Sequence, residues 1–250
     1  MTTILLALGR RLGSGGASLG IPAELLPLAG RPLIQRYVEF LADSGRKDLA
    51  VVLRDEPERF STFLEEGERW GVRISYHRCD PGAESASFAA ALFASLGADE
   101  VVDPLAPFAA AGGADFPGAL GLGAYLDSAA AALSGSVTGF VPSGRESSPG
   151  IRQSHHVRVH PSARLVPPVY IGDSAEVGAG AVVGPFASLE RGSVVGRDTV
   201  VRRSVLLPWT IVGEGLTIED FVVEGAAFFK PSMDASYVSG DPAISSFRPA

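Results

Sequence analysis

The chain has 250 residues, with 21 Lys+Arg against 28 Asp+Glu, a formal charge of −7 and a single cysteine. Hydrophobic residues at 46% and charged residues at 20% place it among globular proteins, as one large domain or two modest ones, and exclude a disordered chain. The acidic balance excludes the basic footprint of non-specific nucleic-acid binding, and Cys79 alone excludes an intramolecular disulfide or a CxxC site.

No apolar run approaches the about 20 residues of a membrane span, and the first arginines follow the apolar start, the wrong order for a signal peptide. A cytoplasmic location is the expectation. Lys47 and Lys230 are the only lysines, and there is no asparagine.

In chain order, Thr3–Leu8 is a short apolar run closed by glycine, the pattern of a buried strand. After a glycine-rich loop, Pro32–Asp43 carries Ile34, Tyr37, Val38 and Leu41 at helical spacing, with Gly45 as C-cap. Leu49–Leu53 reads as a second strand, Glu56–Arg69 as a polar helix, and Val72–His77 as a third strand. Glu84–Ser95 is apolar nearly all round and is expected to be a buried helix. Asp99–Asp103 reads as a fourth short strand. Such alternation predicts a mostly parallel sheet with ligands at the carboxyl ends of its strands. Residues 104–150 are rich in Ala, Gly, Pro and Ser; Leu122–Leu133 fits one helix, and the rest reads as loop and linker.

From Val159 the period becomes six. Val159, Leu165, Ile171, Val177, Val183, Leu189, Val195, Val201 and Leu207 are all aliphatic. Four residues after each stands Ala163, Val169, Ala175, Ala181, Ala187, Ser193, Thr199, Val205 or Ile211, small or β-branched throughout. Neither an α-helix nor a hairpin meander has this period; a β-solenoid does, with one aliphatic pointing inward per flat face. The register slips by one residue after Leu207, at Pro208 and Trp209, and resumes at Val212 and Ile218. The repeats resemble the hexapeptide repeat of left-handed parallel β-helices, in which three hexads make one coil; residues 159–223 then give between three and four coils. Phe228 and Phe229 are expected to cap the open end.

The opening also resembles a family. Pro22–Ala23–Glu24–Leu25–Leu26–Pro27 and Gly30–Arg31–Pro32–Leu33–Ile34 are similar to the second conserved block of sugar-1-phosphate nucleotidyltransferases, many of which carry a C-terminal left-handed β-helix. The resemblance implies a truncated α/β domain, mostly parallel, followed by a left-handed parallel β-helix. The expected divisions are a nucleotidyltransferase-like domain at 1–135, a linker at 136–156, the β-helix at 157–225 and a tail or cap at 226–250.

It further implies a loop of Gly9, Arg10, Arg11, Gly13, Gly15 and Gly16 that receives nucleotide phosphates, and Asp103 as the ligand of a Mg²⁺ ion. The expected ligand is a nucleotide or nucleotide sugar. A homo-oligomer assembled through the β-helix is expected, without nucleic acid and without a membrane span.

The sequence departs from the family at three points. The lysine after the first proline is Ala23, Gly9-Arg10-Arg11-Leu12-Gly13 scrambles the usual glycine-rich loop, and the roughly one hundred residues that supply the sugar pocket are largely missing. Catalysis is therefore in question, no catalytic side chain is assigned, and a catalytically degenerate binding subunit of nucleotide-sugar or surface-polysaccharide metabolism is one expectation.

Gly16–Gly20 matches a nucleophile elbow in letters, but Ile21-Pro22 stands where a helix must begin. His155, His156 and His160 gather at the first repeat with no carboxylate near them in sequence. The remaining alternatives are a hexapeptide-repeat acyltransferase and a purely scaffolding or regulatory oligomer.

Overall fold

Four apolar segments form one parallel sheet in the computed structural model, which describes residues 2–80, 82, 84–104, 108–109, 115–116, 121–137 and 140–247. They are Thr2–Ala7 (β1), Asp48–Leu53 (β2), Arg73–Arg78 (β3) and Glu100–Val102 (β4), in the spatial order β3-β2-β1-β4. The register pairs Leu5 with Val51 on one side and with Val102 on the other. β1 and β2 read as unbroken hydrophobic runs because both faces are covered, and Ile4, Leu5, Ala50, Val51 and Val52 are fully buried.

The helices are Leu33–Asp43 (α1), Pro57–Leu64 (α2) and Ser85–Leu96 (α3). α1 buries Ile34, Tyr37, Val38 and Leu41, as its spacing predicts. The expected helix over Glu56–Arg69 stops at Leu64, because Glu65 and Gly67 take left-handed φ and Gly67 lies against Val72 and Ile74; a short 3-10 turn, Glu68–Trp70, follows. α3 corrects the expectation of a helix buried all round. Only Ala89 is buried, Phe88 and Leu92 lean on the cluster of Ile4, Leu8 and Val52, and Phe93 and Leu96 are exposed. Its apolar composition is mostly alanine, which exposes little surface.

The second fold is a three-sided parallel β-helix. Its largest sheet contains Arg145–Ser148 (β5), Ile151–Gln153 (β6), Val169–Ile171 (β7), Ala187–Leu189 (β8), Val205–Leu206 (β9), Val222–Glu224 (β10), Ala227–Lys230 (β11) and Ala235–Val238 (β12). Two narrower sheets form the other faces, beginning at Arg158–Val159 and Arg164–Leu165. Ile171 pairs with Leu189 and Val177 with Val195, so these coils contain eighteen residues each. Inside lies a continuous column of Ile171, Val177, Val183, Leu189, Val195, Val201, Leu206, Val212, Ile218 and Val223.

Two details differ from the sequence reading. The solenoid starts at β6, inside the expected linker, where the hexad position is the polar Gln153 and the pattern is hidden; β6 pairs in parallel with β7. The slip also falls earlier than expected. Leu189 pairs with Leu206, a seventeen-residue coil, so the short corner lies between Val201 and Leu206 and not at Pro208–Trp209. Leu206, not Leu207, is inward, and Ser204 and Thr210 take the small positions read as Val205 and Ile211. The cause is visible in β7–β10. Their outer residues Tyr170, Ser188, Val205 and Val222 are buried as well, so aliphatics occupy both registers and conceal the shift.

At the far end the chain reverses. β11 runs antiparallel to β10, pairing Val222 with Phe229 and Val223 with Phe228, and both phenylalanines are buried. Phe228 meets Phe221 edge-on and stacks on Tyr237 of β12 at 4.7 Å. This hairpin covers the last coil, the capping role expected of the pair.

The chain divides into two compact units: residues 1–11, 21–26 and 32–108, and residues 12–20, 27–31 and 109–250. The helix Leu122–Ser134 (α4) belongs to the second. The expected loop over 104–150 falls partly on residues 105–107, 110–114, 117–120 and 138–139, outside the described residues.

Candidate phosphate-binding site

In the first unit, sheet order reverses at β1, whose neighbours β2 and β4 belong to opposite halves of the winding. The carboxyl ends of β1 and β4 then frame the crevice where open α/β sheets bind ligands. Gly9, Arg10 and Arg11 leave β1 there, and Asp103 follows β4. Gly9 has φ +70, and a Cβ on it would stand 2.5 Å from the Asp55 carbonyl oxygen, so the tight exit from β1 requires glycine.

Arg10 and Asp103 do come together, but they engage each other. Arg10 Nη1 donates to Asp103 Oδ2 at 2.7 Å, its Nη2 donates to Oδ1, and its Nε donates to Glu24 Oε1 at 3.0 Å. A bidentate guanidinium–carboxylate pair is the strong form of this contact. Glu24 is completely buried and its Oε2 has no hydrogen-bond partner. Burial raises the Glu24 carboxyl above the usual carboxylate range, against the pull of Arg10. Burial, the largest single influence on Arg10, lowers its guanidinium, but the hydrogen bonds and charges of Asp103 and Glu24 together outweigh it and hold Arg10 above its ordinary range. Tyr37 beside them is raised by burial and by the charge on Asp103. Arg11 is ion-paired with Glu56, which also holds Arg59 at 2.7 Å.

Gly13, Gly15 and Gly16 belong to the second unit, where Gly13–Ser14 pairs antiparallel with Ala17–Ser18. Gly15 and Gly16 supply the left-handed turn. The Gly15 N–H donates to Asp234 Oδ1 at 3.0 Å and the Ser14 hydroxyl donates to the same oxygen. Those donors hold the Asp234 carboxyl below the usual range. Two further glycines are bound in the same manner. The Gly20 N–H donates to Glu224 at 2.6 Å, and the Gly30 N–H to the buried Glu190 at 3.1 Å. Backbone donors of the kind that cradle a phosphate are here satisfied by the chain's own carboxylates. Ser18, in the elbow-like run, is exposed on the hairpin, and no α-helix begins directly after it; the next helical segment is the short 3-10 turn Ala23–Leu25.

The residues do not fit a Mg²⁺ ion as arranged. Both oxygens of Asp103 are engaged by Arg10, and among the described residues no group of three or more His, Cys, Asp or Glu could hold a metal.

One relation was hidden in the sequence. His156 Nδ1 lies 3.3 Å from Asp173 Oδ1, although no carboxylate is near the histidines along the chain. The signal was the coil period, since Asp173 follows His155 by eighteen residues and stacks over it.

Comparison with known proteins finds no matching family model and no similar curated protein. Among solved structures, one likeness is to a protein assigned as a glucose-1-phosphate thymidylyltransferase from Bacillus anthracis, in complex with a sucrose. It has 22% identity over 42% of this chain and 44% of that one, with a TM-score of 0.35. This chain thus spans under half of that protein's length. A second is to a point mutant of perosamine N-acetyltransferase from Caulobacter crescentus, in complex with CoA and GDP-perosamine. It has 14% identity over 96% of this chain and 98% of that one, with a TM-score of 0.21. At these scores neither likeness decides function. The two-part architecture, a parallel α/β sheet and a hexad-repeat β-helix, stands on the strand pairing itself.

Proposed function

We propose that this chain is a nucleotidyltransferase-like protein of nucleotide-sugar or surface-polysaccharide metabolism. It acts as a nucleotide- or sugar-nucleotide-binding subunit without turnover, in the cytoplasm and as a homo-oligomer through the β-helix. The resemblance of Pro22–Ile34 supports the class. The single observation that carries the loss of turnover is Arg10, bridging Glu24 and Asp103 where the reacting phosphates and their metal would be held. With that cation neutralised, in-line displacement of pyrophosphate lacks both its charge stabilisation and its positioning groups, each worth several kcal/mol of barrier.

The test is a thermal-shift panel of nucleoside triphosphates and nucleotide sugars with and without Mg²⁺, paired with a pyrophosphate-release assay. A ligand that binds only the native state raises the melting temperature. A shift with one nucleotide, indifferent to Mg²⁺ and without pyrophosphate release, is expected. Mg²⁺-dependent pyrophosphate release that disappears in Asp103→Ala would overturn the reading.

The His156–Asp173 contact favours one second reading, a hexapeptide-repeat acyltransferase with His156 as base. Thiol release from acyl-CoA, abolished in His156→Ala, would establish it in place of the first.

A further inference from the structure

On the first coil of the solenoid, His155 and His156 stand between two cavities of about 380 and 650 Å³. The smaller is lined by Ser143, Ser154, Asp173 and Arg191 as well as both histidines, and the larger brings in Arg145 and Gln153. In a chain of net charge −7 this is a local gathering of cationic and neutral donors around one carboxylate.

Several donors of the smaller cavity make no hydrogen bond. The Ser143 hydroxyl is buried and makes no hydrogen bond. Among the described residues, the Arg191 guanidinium, the His155 ring and the Ser154 hydroxyl make none either; Arg191 only lies 3.6 Å from Asp173 and 5.6 Å from the centre of the Trp209 ring. Asp173 lies 3.6 Å from Arg191 Nε and 3.3 Å from His156 Nδ1, so its contacts use neither the terminal guanidinium nitrogens nor His156 Nε2. Glu190, nearby in sequence, is committed to the Gly30 N–H and the Ser188 hydroxyl. A buried hydroxyl without a partner is destabilising, and a bound acceptor would satisfy it.

We propose that this cavity binds a small phosphate monoester, its phosphoryl group received by Arg191, His155, Ser154 and Ser143. The donors come from three separate turns, at Ser143, at Ser154–His155 and at Arg191, an arrangement suited to the three oxygens of a tetrahedral dianion, and arginine suits phosphate in particular. The assignment does not rest on the nucleotide reading, because its residues lie in the second unit and Arg10 and Asp103 in the first.

Isothermal titration with glucose 1-phosphate tests it, with glucose, inorganic phosphate and acetate as comparisons. Wild-type protein is set against His155→Gln/Arg191→Gln, whose two substituted side chains are exposed. A melting curve and the single variant His155→Gln guard against a folding defect. Saturable binding of glucose 1-phosphate, weakened about 10-fold or more in the variants, with none of glucose, is expected for a charge-assisted site. Inorganic phosphate binding as tightly as the ester would assign recognition to the phosphoryl group alone; weaker binding would add the sugar body, and either supports the site. Absence of saturation up to about 20 mM, a range in which even weak sites are visible, equal binding of acetate, or unchanged affinity in the folded variants would overturn it.

Discussion

Asp234 shows how a single carboxylate substitutes for a ligand. It accepts from the Gly15 N–H and the Ser14 hydroxyl, the kind of donor pair that a glycine-rich loop offers to phosphate, and those bonds favour its charged form. The sign of the pH effect follows. A carboxyl held below its unfolded value, about 3.9, stabilises the fold in full above that value and ceases to do so as pH falls through the depressed one. The protection factor of the Gly15 amide, corrected for intrinsic exchange, should therefore be higher in wild type than in Asp234→Ala between pH 5 and 7 (roughly where the carboxylate is fully ionised). The difference should close as the pH drops below about 4. A difference that persists undiminished in acid would mean that the hairpin is held by contacts other than this charge.

At the scale of elements, what the sequence makes legible is what repeats. The strands and helices of the first unit follow from period and punctuation, and the hexads from Val159 to Val201 specify their coils without an alignment. Legibility fails where a second surface is covered. The corner between Val201 and Leu206 is one residue short, yet Val205 and Leu207 are also buried, so hydrophobicity cannot reveal which neighbour faces inward. The polar residues settle it. Ser204 accepts from the Phe221 N–H at 3.0 Å and donates to the Arg202 carbonyl, and Thr199 accepts from the Leu216 N–H at 3.1 Å and donates to the Gly213 carbonyl. Each hydroxyl stitches one corner to the coil seventeen residues on. Ser204→Ala should thus remove the partner of the half-buried Phe221 N–H and cost about 1 kcal/mol, read as a lower urea midpoint with an unchanged slope. A midpoint within error of wild type would show that the corner is held by packing alone. The site was legible only in outline, for the same reason: Arg10, the glycines and Asp103 can be picked out by motif, but which carboxylate answers each donor depends on contacts between residues up to 220 positions apart.

At the scale of the whole molecule, the two units have cores of different kinds. Ile4, Leu8, Ala50 and Val52 pack within a layered α/β sheet, whereas Ile171, Leu189 and Leu206 stack along a one-dimensional column. In a solenoid each coil contacts only its neighbours, so stability is a sum of coil and interface contributions. Leu189 pairs with Ile171 in one neighbouring coil and Leu206 in the other, and a void at its position weakens two interfaces together. Leu189→Ala should cost about 2–5 kcal/mol, as buried leucine truncations do, and Ile4→Ala a similar amount in the other core. Calorimetry should resolve the two: Leu189→Ala lowers the transition of the β-helix and Ile4→Ala that of the α/β sheet, each leaving the other midpoint in place. A single transition displaced equally by both substitutions would mean that the cores melt as one cooperative body.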